Sequence, residues 1–209
     1  YEHYSDFDLQ NRYVYVESSR GCPYKCEFCL SSIDKKVRYF DFERLLQDLQ
    51  QLWDRGARDF KFIDRSFNLA AKKAAPILEF FLSKQQGYFV HFEFIPDHFP
   101  QTLKDLLARF PKGALQLEIG IQTLNEKVAQ NISRPMNKEK IEQNLRFLQE
   151  NTHAHLHLDL LIGLPGQSQA DFAADLDTLM AMGGGEIQLG VLKKLSGTSL
   201  HRHDGPHKM

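Results

Sequence analysis

Short β-type runs alternate with amphipathic helical stretches along almost the whole chain, and few folds accept that rhythm. Arg12 to Glu17 (RYVYVE) is rich in strand-forming Tyr and Val. Asp41 reads as the N-cap of a helix reaching Arg55, with Phe42, Leu45, Leu49 and Leu52 on one stripe and Gly56 at its end. A short strand, Asp59 to Ile63, precedes a helix from Ala70 to Gln86. A strand from Tyr88 to Ile95 leads into a helix from Gln101 to Phe110. Ala114 to Ile121 alternates apolar and polar residues as a half-buried strand does. A short helix near Asn125 follows, then a longer one from Asn137 to Asn151. His155 to Ile162 is the next strand, Ser168 caps a helix running to Met182, and Glu186 to Leu192 is the last strand. The result is six strand–helix units without the final helix. Such alternation favours an α/β fold with a parallel sheet and right-handed crossovers. An open doubly wound sheet and part of a (β/α) barrel both satisfy it.

Composition narrows the function classes. Lys and Arg total 26 against 27 Asp and Glu, a net charge of −1, which argues against a chain whose work is coating nucleic acid or an acidic membrane. Hydrophobic residues at 42% and charged residues at 25% are globular proportions. The longest apolar run, Leu158 to Leu164, falls far short of the roughly 18 residues a membrane span needs. The chain begins Tyr1-Glu2-His3, with neither an initiator Met nor a signal peptide, and reads as a cytoplasmic piece of a longer protein. One domain is expected over residues 1–200, with 201–209 as a polar, His-rich, truncated tail.

All 3 cysteines lie in Ser18-Ser19-Arg20-Gly21-Cys22-Pro23-Tyr24-Lys25-Cys26-Glu27-Phe28-Cys29, directly after the first strand. An odd, clustered set makes a poor disulfide framework and points to a metal in a reducing compartment. A structural zinc site closes four ligands, so zinc here needs a distant His such as His91 or His155. A [4Fe–4S] cluster held by three thiolates instead leaves one iron open for chemistry. A zinc-binding module and an iron–sulfur electron carrier are the readings that stand beside an enzyme.

The C-x3-C-x2-C spacing with Phe28 before the last Cys resembles the radical S-adenosylmethionine (SAM) enzymes, and the resemblance runs from about Arg12 to Leu200. It implies a partial (β/α)6 TIM-like barrel with parallel strands. It makes Cys22, Cys26 and Cys29 the ligands of a [4Fe–4S] cluster whose open iron chelates SAM. One electron, from a donor such as flavodoxin or ferredoxin, then cleaves SAM to methionine and a 5′-deoxyadenosyl radical that abstracts hydrogen from a substrate. The phrase SRGCPYKCEFC is especially similar to the branch in which a cobalamin-binding domain precedes the radical domain. Any cobalamin role belongs to sequence outside this chain. Oxidoreductase and methyltransferase chemistry both stay open, and the substrate is not legible.

In a (β/α) barrel the functional groups stand at the carboxyl ends of the strands. Asp64 follows the second strand where the family often has G-G-E; it is a candidate for the SAM ammonium or simply a helix-entry Asp. Glu93, flanked by Phe92 and Phe94, should point away from them, and the family has an acidic residue near SAM there. Glu118, Gly120 and Gln122 share one face of the fourth strand, leaving room for a ligand. The resemblance gives Gln122 to the SAM ribose and Arg134, after the next helix, to the SAM carboxylate. Arg suits that role through its planar fork. Asp159 is implied in binding ribose hydroxyls. Gly163, in Gly163-Leu164-Pro165-Gly166, matches the family's turn near adenine. His155 and His157 are expected to face solvent.

Overall fold

The structure is a computed structural model, and it describes residue 1 and residues 3–204. Six strands form one parallel sheet in the spatial order β1 (Val14–Val16), β4 (Asp59–Phe62), β5 (Phe89–Phe94), β6 (Leu115–Gln122), β7 (His155–Ile162) and β8 (Glu186–Val191). Between β1 and β4 lies a two-stranded antiparallel ribbon, β2 (Ser19–Arg20) with β3 (Arg38–Tyr39). The strands lie side by side in chain order without the reversal of a doubly wound sheet, and among the described residues β1 and β8 pair with no further strand, so the sheet is an open, partial barrel. That decides the choice periodicity left open.

Helices α2 (Phe42–Asp54), α3 (Ala71–Leu82), α4 (Gln101–Leu107), α6 (Lys138–Asn151) and α7 (Gln169–Met182) make the crossovers, after the short α1 (Asp6–Asn11). A further short helix, α5 (Glu126–Asn131), precedes α6. Side-chain caps fix the starts of α2 and α7. The Asp41 carboxylate accepts the Arg44 amide at 2.8 Å, and Ser168 and Asp171 cap α7 reciprocally. Several spans come out shorter than expected, three of them by three residues or more. The first strand is limited to Val14–Val16, α3 ends at Leu82, and α4 ends at Leu107.

Strand alternation separates two faces. On β6, Leu115, Leu117, Ile119 and Ile121 are buried, while Gln116, Glu118, Gly120 and Gln122 are half-exposed on the other side. On β7, Leu156, Leu158 and Leu160 are buried in the same way. The apolar side packs on the helices through a cluster of phenylalanines. The Phe92 ring lies 4.7 Å from that of Phe62 and 4.2 Å from that of Phe67, and Phe60 meets Phe81 at 5.2 Å. Each such side chain contributes roughly 1.5–3 kcal/mol on burial. The polar side is left to the concavity, where the parallel register sets Glu93 beside Glu118 and Gly120 beside Asp159. No helix among the described residues is long and apolar enough to cross a membrane.

Candidate functional site

The cysteine loop is built from both ends. At its start the Ser18 amide donates to Asp64 Oδ2 at 2.9 Å, and the Ser18 and Ser19 hydroxyls each donate to Oδ1 at 2.6 Å. Asp64 is thereby buried and its oxygens are taken up. Burial pushes its carboxyl up, while the serine hydroxyls and amides pull the other way. Gly21 has φ +97°, and a Cβ there would come within 2.4 Å of the Lys36 carbonyl oxygen, so only glycine fits. The Cys22 amide donates to the Asp34 carbonyl at 2.9 Å, and the Cys29 amide to the Cys26 carbonyl at 3.1 Å. The β2–β3 ribbon closes the loop behind them.

The loop roofs a cavity of about 220 Å³ at the carboxyl ends of the strands. Cys22, Cys26 and Cys29 border it, all as free thiols, and so do Phe28, Glu93, Glu118, Gln122, Arg134 and Asp159. Each of these was expected at the site from sequence. Asp64 and Gly163 are not among the bordering residues. Asp64 anchors the loop from outside. Gly163, at φ +91°, shapes the turn after β7, where its amide donates to Gln167 Oε1 at 2.9 Å. Tyr24, Arg65 and Gly120 also border the cavity, with Arg65 next to Asp64 in sequence. His155 is exposed at the amino end of β7, 3.2 Å from Glu186, as expected. His157 departs from expectation, since its Nε2 is buried without a partner among the described residues.

Arg134 organises the floor. Its guanidinium donates to the Gly120 carbonyl and, at 3.4 Å, to Cys26 Sγ. Gly120 leaves room for the neighbouring Gln122 side chain: a Cβ there would lie 2.7 Å from Gln122 Nε2, against 3.7 Å from Arg134. Gln122 itself takes φ +69°, where the β6–β7 register shifts, and this turns the strand end at the cavity. Phe28 packs on the small apolar cluster of Val128, Ile132 and Leu164.

The carboxylates are driven apart in proton affinity. Hydrogen bonding to His91 Nε2, 3.0 Å away, holds Glu118 below the usual carboxylate range. Burial pushes Glu93 up, opposed by Arg65 at 3.0 Å. Burial, then the charge of Glu118, pushes Asp159 up to about 6. Asp159 Oδ1 is buried with no hydrogen-bond partner among the described residues. Carboxyls with separated affinities beside a cation are a functional-site signature.

The donor set fits an iron–sulfur cluster. Among the described residues no three Cys, His, Asp or Glu side chains are gathered closely enough to hold one ion. A single zinc needs all its donors at about 2.0–2.3 Å, whereas a cluster takes each thiolate on a separate iron. Three soft sulfur donors spread around one cavity, with an orphaned carboxylate oxygen across from them, suit the cluster and an organic ligand beside it.

These features define an open parallel (β/α) barrel with a three-thiol loop over its carboxyl end. The profile of the Radical SAM superfamily matches residues 16–179, and the chain belongs to that superfamily, whose enzymes use a [4Fe–4S] cluster and SAM. The ribosomal protein uS12 methylthiotransferase RimO of Bacteroides fragilis is 25% identical over 170 residues, covering 77% of this chain and 39% of its own length. RimO of Chlamydia caviae is 23% identical over 171 residues, covering 77% and 37%. The chain therefore spans well under half the length of these curated relatives. Among solved structures, the radical SAM methyltransferase TsrM of Kitasatospora setae, with tryptophan and a SAM analogue bound, superposes with a TM-score of 0.78 at 18% identity, covering 93% of this chain and 39% of that one. The coproporphyrinogen III oxidase HemN of Escherichia coli gives 0.68 at 19% identity, covering 91% and 46%. These likenesses show the fold.

Proposed function

We propose that this chain is the catalytic core of a radical SAM enzyme, with Cys22, Cys26 and Cys29 as cluster ligands and the adjoining cavity as the SAM site. The observation that carries this is the meeting of three free thiols, the Arg134 fork and the unpartnered Asp159 oxygen around one cavity. Cys22, Cys26 and Cys29 would hold a [4Fe–4S] cluster, which would supply the one-electron reductive cleavage of SAM on which the superfamily's radical chemistry rests.

The chain's own residues bind and orient. Arg134 presents a planar donor fork to a carboxylate. Asp159 offers acceptors to ribose hydroxyls, with Gln122 beside it, and Glu93 and Glu118 face the polar remainder of SAM. Phe28, backed by the buried Leu164, gives an apolar wall toward the Gly163 turn for adenine. Asp64 presets the cysteine loop through Ser18 and Ser19 rather than touching SAM. The core spans residues 1–200. The enzyme works in the cytoplasm with a flavodoxin or ferredoxin as electron donor, without membrane or nucleic acid as partner. The substrate, and any part for cobalamin, lie with polypeptide other than this core.

Anaerobic reconstitution followed by metal analysis and electron paramagnetic resonance tests the reading. About four irons per chain are expected, with a reduced-cluster spectrum that changes when SAM is added. A colourless protein holding stoichiometric zinc would point to a zinc module. A spectrum indifferent to SAM would point to an electron carrier.

A further inference from the structure

Glu27 stands between two of the three cysteines, and it is only 2% exposed. A carboxylate is seldom buried unless its oxygens are met, and here they are met from two directions. The first is the turn after α5. The Glu27 amide donates to the Ile132 carbonyl at 3.1 Å, and the Ser133 hydroxyl donates to Glu27 Oε1. The next residue, Arg134, reaches Cys26 Sγ at 3.4 Å. Three consecutive residues thus seat the loop. Ser133 takes φ +53° to do so, a left-handed conformation a serine adopts only when its surroundings hold it there.

The second direction is the far end of the chain. A 3₁₀ turn, Ser199–His203, lies against the loop with Leu200 fully buried beneath it. Arg202 pairs with Glu27 Oε1, and His203 Nε2 lies 2.8 Å from Oε2. Arg202 also donates to the Asn131 carbonyl at 3.2 Å, which ties the turn to the same seat. His201–His203 belong to the segment read from sequence as a polar tail; residues 205–209 of that segment lie outside the described residues.

We propose that Glu27 is a positioning residue of the cysteine loop and that the turn Ser199–His203 is its clasp. Arg202 and His203 fix the Glu27 carboxylate. The fixed carboxylate and the Ile132–Arg134 turn together hold Cys26 and Cys29 at the cavity. The far end of the chain thereby sets both the stiffness of the loop and the charge beside its thiolates. This rests on the reading of Cys22, Cys26 and Cys29 as cluster ligands.

The full 209-residue chain carrying Glu27→Gln, Arg202→Gln, His203→Gln or Arg202→Lys tests it with two readouts. The first is amide hydrogen exchange without a cluster. Exchange at the Glu27 and Cys29 amides should quicken about tenfold or more in Glu27→Gln and Arg202→Gln, with β5–β7 unchanged. It should recover largely in Arg202→Lys, which keeps the charge. The Arg202 side chain is 53% exposed, so its replacement spares the core. The second readout is the midpoint potential of the reconstituted cluster. Arg202→Gln leaves the Glu27 charge less compensated and should lower the potential, whereas Glu27→Gln leaves Arg202 uncompensated and should raise it. Opposite shifts are what a merely structural contact would not produce. Loop exchange within about twofold of wild type in every variant, or potentials that move together, would overturn the proposal. A wild-type chain that takes up no iron overturns the cluster reading instead, and the exchange result still decides the clasp.

Discussion

Arg134 joins the loop, the strand end and the cavity with one side chain, and its geometry makes the Arg–Lys distinction sharp. A lysine keeps the charge but cannot hold the Gly120 carbonyl and Cys26 Sγ at once while still presenting a fork. Arg134→Lys should weaken SAM binding by about tenfold or more with little loss of thermal stability, as equilibrium dialysis and a melting curve would read. Asp159 carries the opposite lesson. Its folded-state carboxyl titrates at about 6, above the ordinary value of 3.8. A raised carboxyl stabilises the fold less as pH climbs, since the unfolded chain releases the proton first. Asp159→Asn should therefore gain on the order of 1–2 kcal/mol above about pH 6 after allowance for partial solvation, and close to nothing near pH 3. Urea unfolding across pH measures this, and a gain that does not vary with pH would contradict it. Asp159 was placed at the site by the family resemblance, and the alternation of its strand sets it opposite the buried Leu158 and Leu160. The role of Asp64 was not legible, because its partners, Ser18 and Ser19, sit about 45 residues upstream, beyond any local pattern.

The cysteine loop depends on backbone that only one residue type accepts. Gly21→Ala forces a Cβ onto the Lys36 carbonyl at positive φ. It should cost about 1–3 kcal/mol, concentrated in the loop. Hydrogen exchange should show faster opening of residues 21–37 with β5–β7 unmoved, and iron uptake should slow. The strands and crossover helices were readable, since a half-buried strand such as β6 repeats every two residues and a helix such as α2 shows its stripe and cap. The β2–β3 ribbon was not. Two-residue strands have no period, and their pairing follows from how the loop folds back. The clasp escaped for the same reason at longer range, as Glu27 meets Ser133 and His203 at separations of 106 and 176 residues.

The whole molecule is a half-open barrel that turns its apolar face to the helices and its charged face to a cavity. That division explains why a nearly neutral chain still concentrates Glu93, Glu118, Asp159, Arg65 and Arg134 in one place. Closure differs from a complete barrel because β1 and β8 remain edges, with Leu189 and Val191 of β8 exposed. The alternation announced parallel strands, and the three-thiol loop announced the chemistry. The partial closure of the sheet was implied by the family resemblance that the loop carries, and alternation alone left it open, since closure depends on strand tilt and pairing. Everything proposed for this barrel turns on whether its three thiolates support SAM cleavage. Its most direct measurement is the yield of 5′-deoxyadenosine when the anaerobically reconstituted chain meets SAM and a strong reductant. Wild type should release 5′-deoxyadenosine together with methionine, and Cys26→Ala should release none. An equal yield from Cys26→Ala would contradict the account.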